Sequence, residues 1–307
     1  MICGHQNRKV LRAYGQTRLF ECCVCGLIFQ SQDEKKQNQA ALYEDYYKNE
    51  TGGRFNFGIE YVIRMFRFFR ALKILSICYH AKTILDIGSG RGFMLYYLKK
   101  YFGYSRACGT QLSRNAVEFS RKKLGLEIYD KDFLEIPFGD EQFDVISLWH
   151  VLEHVPVPEL YIEKIEHSLK ENGRLVIEVP NFDSWTAGFT GVYWLGLDPR
   201  YHLHFFSPRT LIRLLEKYKF SIKNVHTFSL EYSAFISAQS IISFLTRSDM
   251  LFFEWLQTGR PFPGLLRHIL LFLLFFPFCL LVNLLLFFSR RGEVLLIVAQ
   301  KSGQTRP

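Results

Sequence analysis

The sequence predicts an α/β fold built on a largely parallel sheet, and three observations carry that prediction. Between Thr83 and Phe228, short apolar runs alternate with amphipathic stretches, the pattern left by successive β-α-β units. The first of those runs ends in a glycine-rich turn, Gly88-Ser89-Gly90-Arg91-Gly92. The composition, 49% hydrophobic and 22% charged over 307 residues, supports a packed core and excludes a disordered or fibrous chain.

The elements follow in order. Residues 1–30 hold four of the seven cysteines and read as a small cysteine knuckle, resembling a zinc ribbon, that ends in Cys22-Cys23-Val24-Cys25-Gly26. Residues 31–82 form a linker and then a basic amphipathic helix over Ile59–Cys78. On it Arg64, Arg67, Arg70 and Lys73 recur every three residues beside Phe66 and Phe69, a pattern suited to an interfacial helix. The region 83–228 carries strands at 83–87, 106–110, 126–129, 143–149, 174–179 and 221–228. Helices fit between them at 92–101, 115–123, 158–169 and 208–218, the last with Ser207 as N-cap and Pro208 at its first position. Residues 229–292 are strongly apolar, and 293–301 (EVLLIVAQK) read as one more strand of the same sheet.

Charge and apolar excess point toward a partner. Lys plus Arg exceed Asp plus Glu by 38 to 29, a net +9 that favours nucleic acid, a phosphorylated substrate or anionic lipid. Ile269–Phe288 is twenty residues without a charge, long enough to cross a bilayer. A single crossing would strand residues 293–301 on the wrong side, so Pro277 and Asn283 are read as breaks between two short re-entrant helices. Arg260, Arg267, His268, Arg290 and Arg291 flank the run and suit an anionic membrane surface. Met1–Leu19 lacks an apolar signal region, so the expected location is the cytoplasmic face of the membrane, peripheral or monotopic. In that compartment the cysteines are metal ligands or buried thiols.

Asp86 stands two positions before the first glycine of the turn. An acidic residue there disfavours a pyrophosphate and suits a cation such as the sulfonium and ammonium of S-adenosylmethionine. Downstream come Gly109-Thr110-Gln111-Leu112-Ser113, Lys131-Asp132-Phe133, Phe143-Asp144-Val145-Ile146 and the segment Val151-Leu152-Glu153-His154-Val155. A later segment runs Trp194-Leu195-Gly196-Leu197-Asp198-Pro199-Arg200-Tyr201-His202. This ordered series resembles the class I S-adenosylmethionine-dependent methyltransferases, in particular a bacterial subgroup with an N-terminal cysteine knuckle and a VLEHV segment, similar to quinone and sugar methyltransferases. The resemblance implies a Rossmann-like sheet of seven strands, the last antiparallel. It implies that Asp86, Gly88, Ser89, Gly90 and Gly92 line the methionine part of the cofactor and that Asp132 and Phe133 flank its adenine. Gln111, followed by Leu112, stands where relatives carry an acid for the ribose hydroxyls. The missing charge is expected to weaken cofactor binding by about 1 kcal/mol.

His154 and His202 are the candidate catalytic bases, because both fall on loops beyond the carboxyl ends of strands and imidazole titrates near neutral pH. Trp149, Trp194 and Tyr201 are candidates for a stacking wall. For structural zinc, Cys22 and Cys25 form one thiolate pair, with Cys3 and His5, or Cys23 in their place, to complete it. The expected activity is methyl transfer, to oxygen first and to a sugar carbon second, on a small-molecule or lipid-linked acceptor. A degenerate scaffold of the same fold is the competing class, supported by Gln111. Nucleic acid ranks last as a partner, since no N-P-P-Y-type motif follows the fourth strand. The oligomeric state is not legible in the sequence.

Overall fold

The computed structural model describes residues 7–14, 17–30, 57–140, 142–248 and 250–302. Two sheets are present among them. The N-terminal hairpins β1 (Arg8–Tyr14), β2 (Thr17–Cys22) and β3 (Ile28–Gln30) form a four-stranded antiparallel sheet, which β9 (His204–Phe205) completes from far along the chain. The large sheet has seven strands: β4 (Thr83–Ile87), β5 (Arg106–Thr110), β6 (Glu127–Tyr129), β7 (Phe143–Trp149), β8 (Leu169–Pro180), β10 (Phe220–His226) and β11 (Val294–Lys301). Their order is β10-β11-β8-β7-β4-β5-β6. β4, β5, β6, β7 and β8 run parallel, and β11 lies antiparallel between β8 and β10. The chain winds outward in both directions from the β4–β7 pair, so a crevice opens beyond the carboxyl ends of those strands.

Helices cover both faces. α1 (Phe57–Ile77), α2 (Phe93–Tyr101) and α3 (Arg114–Leu124) bury Ala71, Ile74, Leu95, Leu98 and Val117 against one face. α4 (Pro158–Ser168) and α6 (Pro208–Lys217) bury Ile162, Ile165, Leu211 and Leu214 against the other. α5 (Trp185–Thr190) lies between them in sequence. Ser207 caps α6 as expected, accepting from the Thr210 amide while Thr210 reciprocates. Cys22, Cys25, Leu27 and Phe29 of the cysteine hairpin join the same core cluster as α4 and α6.

Three differences from the sequence reading have physical causes. The fifth strand begins at Leu169, five residues early, because Asn172 takes a left-handed conformation (φ 62°) and lets the chain run on through Gly173. The sixth ends at His226, where pairing with β11 ends. The apolar region does not break at Pro277. It folds as α7 (Ser233–Thr246), α8 (Leu251–Thr258) and one continuous helix, α9 (Leu265–Ser289), with Pro277 inside. Asn283 is not a break either: it is buried and its amide donates to Ser237 Oγ on α7 at 2.8 Å.

The joint from α9 back into the sheet is held by one buried acid. Glu293 accepts from Trp194 Nε1 at 2.9 Å, Ser237 Oγ at 2.9 Å and Ser184 Oγ at 3.4 Å. Burial pushes its carboxyl above the usual range, with those donors opposing the shift. Glu293→Ala would leave an indole N–H and two hydroxyls unpartnered in the interior. A loss of about 3 kcal/mol is expected in chemical denaturation, and Glu293→Gln, which retains an acceptor oxygen, should lose less than half of that.

Candidate functional site

A cavity of about 560 Å³ opens at the crevice. Eleven candidate residues line it together: Asp86, Gly88, Ser89, Gly90, Gly92, Gln111, Leu112, Asp132, Phe133, His154 and His202. Gly88 has φ +73°, and a Cβ there would sit 2.4 Å from Val151 Cγ2, so turn and loop meet only because no side chain intervenes. Gly92 serves packing as well as conformation, since a Cβ there would strike Leu126 at 2.5 Å.

Asp86 is 4% exposed and accepts from Ser147 Oγ at 2.7 Å. Burial raises its pKa to about 6, with Ser147, Arg70 and Arg67 pulling the other way. Gln111 turns its carbonyl oxygen to the backbone, accepting from the amides of Leu112 (2.8 Å) and Ser113 (3.1 Å). The end available to a ligand is therefore the NH2 group, which donates; the expected carbonyl contact to a ribose hydroxyl is replaced by a donor contact to its oxygen. Asp132 accepts from the Leu134 amide at 2.8 Å and from Tyr161 Oη at 2.5 Å, which orients the carboxylate on the cavity wall. Phe133 packs at 1% exposure against Phe138 and Tyr161. These residues fit S-adenosylmethionine: a buried carboxylate for the cationic end, the Gln111 amide for the sugar and an acid beside an aromatic ring for the base.

His154 and His202 face each other with ring centroids 4.8 Å apart. His154 Nδ1 bonds the Tyr201 carbonyl at 3.0 Å and His202 Nδ1 bonds the Gly196 carbonyl at 2.9 Å. A carbonyl only accepts, so each ring donates from Nδ1 and turns Nε2 away from that bond. Burial lowers the His154 pKa to about 4, partly offset by Glu153, so the ring is neutral. Glu153, His154 and His202 also bring their donor atoms within 4.8 Å of one another, a set able to hold a divalent cation. Of the expected zinc ligands, Cys22 and Cys25 are buried at a hairpin turn, Cys23 is exposed, and Cys3 and His5 lie outside the described residues. Of the expected stacking residues, only Trp149 lines the cavity; Trp194 is buried with its indole on Glu293, and Tyr201 is not part of the wall.

Several contributors were missed from the sequence. His150 has φ 56° and lies between Glu153 (3.4 Å) and Glu178 (3.3 Å), with Tyr232 against its ring. Burial opposes its charge, but the two carboxylates prevail and raise its pKa to about 10. Two of the α1 arginines turn inward. Arg67 reaches Glu231 at 2.6 Å, and Arg70 reaches it at 2.8 Å while lying over the Trp149 ring. For Arg67 and Arg70 the interfacial-helix reading is thereby corrected: a three-residue spacing aligns side chains on one stripe, but only packing decides which of them turn inward. Gln30, 3% exposed, donates to the carbonyls of Pro199 (2.9 Å) and His202 (2.6 Å). Its signal lay in a residue 172 positions away from its partner.

An open sheet of this strand order, with an antiparallel final pair and a donor cleft at its switch point, is the architecture of class I S-adenosylmethionine-dependent methyltransferases. Residues 61–225, more than half of the chain, match a family model described as a methyltransferase domain, and the chain belongs to that family. Among its relatives is the mitochondrial ubiquinone biosynthesis O-methyltransferase of Schizosaccharomyces pombe, 32% identical over 107 residues, which are 33% of this chain and 38% of that protein. The ubiquinone biosynthesis O-methyltransferase of Idiomarina loihiensis is 24% identical over 147 residues, 44% of this chain and 60% of that one. The chain thus spans between two-fifths and three-fifths of these relatives' length. In fold it is similar to a SAM dependent methyltransferase from Archaeoglobus fulgidus, with a TM-score of 0.51 at 20% identity, covering 86% of this chain and all of that one.

Below about pH 6 Asp86 takes up a proton in the empty cavity, so affinity for S-adenosylmethionine should fall as pH drops through 6 and be flat between 7 and 8. The sign is fixed because the folded pKa exceeds the ordinary 3.8: ionising the acid costs the empty protein stability between those values, and a cation recovers it. In calorimetric titrations Asp86→Asn should bind roughly 10- to 100-fold more weakly at pH 8 and lose the pH step. Gln30→Ala should leave that titration unchanged, since it does not line the cavity, while raising the acceptor KM through a loosened His202 loop.

Proposed function

We propose that this chain transfers the methyl group of S-adenosylmethionine to a hydroxyl of a lipid-linked acceptor at the cytoplasmic face of a membrane. The observation that carries the reading is the extent of one cavity. It runs from Asp86 and Gly88 past His154 and His202 to Phe235, Phe253, Leu256, Phe272 and Phe276 on α7, α8 and α9. A donor cleft that continues into an apolar channel suits an acceptor with a polar reacting head and an apolar chain. An isoprenoid quinone precursor is one such acceptor and a polyprenyl-linked saccharide another; the similarity to ubiquinone biosynthesis O-methyltransferases supports the first and supports oxygen as the target.

The outer face of α9 supports membrane association. α9 is, among the described residues, the one helix long and apolar enough to cross a bilayer by length and composition, and 11% of its most apolar window is buried. Leu266, Leu270, Leu273, Leu274, Leu281 and Leu285 are each more than half exposed along one stripe, while His268, Cys279 and Asn283 face the protein. Its amino end is held to the turn after α7 through His268 and Ser248, and its carboxyl end to β10 through Phe287 on His226. A helix held at both ends lies along the bilayer surface, which favours the monotopic arrangement. Arg260, Arg267, Arg290 and Arg291 are exposed at its ends for anionic headgroups, whereas the buried His268 is not.

Bound S-adenosylmethionine supplies an electrophilic methyl on a good leaving group. The protein's own task is alignment and custody of one proton. His154 and His202 present Nε2 to an acceptor hydroxyl, their rings held by the Tyr201 and Gly196 carbonyls. Glu153, held ionised against burial chiefly by His150, favours the proton once it reaches either ring. The clustering of Glu153 with both histidines favours a second reading, in which a divalent cation on those three groups acidifies the hydroxyl instead. The Cys22–Cys25 turn suits half of a structural zinc site, remote from the chemistry.

In a tritiated-methyl assay on host lipid extract, the wild type should label a lipid-soluble product. His154→Ala and His202→Ala should each lower kcat by roughly 10²- to 10⁴-fold with donor binding retained. Full activity in both variants would show that the histidines are not the base.

A further inference from the structure

A second cavity, of about 400 Å³, lies farther along α1 than the donor cleft, where Lys73, Ser76 and Ile77 near the carboxyl end of the helix line it. Leu296 and Val298 of β11 form its apolar floor, and Lys73, Arg174, Lys223 and His226 stand around it. No carboxylate is among its described lining residues; the buried Glu178, paired with Leu296 across the sheet, offsets part of the Lys73 charge from outside it. An isolated basic residue on the edge strand β10, next to the register shift between Ile222 and Asn224, has an ordinary explanation as protection against edge pairing. That explanation covers Lys223 alone. Lys73 comes from α1 and Arg174 from β8, so three elements converge on one concavity with the same sign of charge, and like charges gather at a cost unless an anion joins them.

The arginine is set in advance. Arg174 Nη1 donates to Gln300 Oε1 at 2.8 Å, and Gln300 donates onward to Asn172 Oδ1 at 2.8 Å, which fixes the guanidinium plane. The position of the cavity identifies the anion's source. His226, on its rim, stacks on Phe287 at 5.5 Å and 20°, at the carboxyl end of the apolar helix α9. A phosphate bound here would lie where the exposed leucine stripe of α9 ends, with its acyl chains continuing along that stripe.

We propose that Lys73, Arg174, Lys223 and His226 form a binding site for the phosphate of an anionic phospholipid headgroup, which sets the depth and rotation of the protein on the bilayer. The proposal deepens the membrane reading above and rests on it. Distributed surface charge would attract a membrane without choosing an orientation; a concave site beside α9 specifies one.

Vesicle flotation with the full chain tests it, using phosphatidylcholine alone or mixed with phosphatidylglycerol. The wild type should bind the mixed vesicles more tightly, and Lys73→Gln with Lys223→Gln should erase about 25-fold of that preference, roughly fivefold for each lysine. The paired control Lys122→Gln with Lys123→Gln, on the remote surface of α3, should lose far less, and donor titration should show both variants folded. Equal losses in the two double variants would overturn the site in favour of diffuse charge. Equal binding of wild type to both vesicles would overturn it while leaving membrane docking intact, and binding to neither would overturn both. Heat from inorganic phosphate that depends on Lys73 and Lys223, without any vesicle preference, would assign the pocket to a soluble phosphate and overturn the lipid assignment.

Discussion

The interior beneath the donor cleft holds charges that must be paired because water is excluded. Arg67 and Arg70 from α1, His150 after β7, Glu178 on β8 and Glu231 before α7 lie in one connected group. Leaving any one ionised alone would cost several kcal/mol, so each constrains the placement of the others. The Glu231 carboxyl is held far down, to about 2, against burial by Arg67 and Arg70. In this way one network ties the N-terminal helix, the sheet and the apolar insertion around the cavity. Buried ion pairs are weak contributors to net stability; their larger effect here is to specify which elements face each other.

A second constraint acts on the acceptor side. The loop bearing His202 packs Trp194, Leu197 and Phe205 into a small core with Leu19, Ile236 and Val294, and is also clamped from outside. Its backbone meets Glu153, whose carbonyl accepts from Leu203 (2.8 Å) and His204 (3.1 Å), and β9 within it pairs with β3 of the cysteine hairpin. Gln30 adds two bonds to the same loop. The N-terminal hairpin thus braces the His202 loop beside the cavity, and its integrity governs where that imidazole points.

Much of the fold was legible because its signals are local. Strand and helix periods over 83–228, the Ser207–Pro208 cap and the glycine turn each depend on residues a few positions apart, and the observed elements follow them closely. That these residues would gather around one cavity was legible for the same reason: Asp86 through Gly92 occupy one turn, and Gln111 and Asp132 follow the next two strands. Pro277 misled because helix breaking is a local tendency, and docking of α9 on α7 through Asn283 and Ser237 outweighs it.

The sequence alone determined a parallel α/β sheet, a glycine-rich turn with an acid at its switch point, two loop histidines and an apolar segment of membrane length. Tertiary structure alone decided that Arg67 of α1 turns inward to Glu231, 164 residues away, that His150 sits charged between two acids, and that the donor cleft opens into a channel among α7, α8 and α9. The reason is range. Periodicity and turn chemistry are written in neighbouring residues, whereas the direction a charged side chain takes depends on which distant group will be buried opposite it.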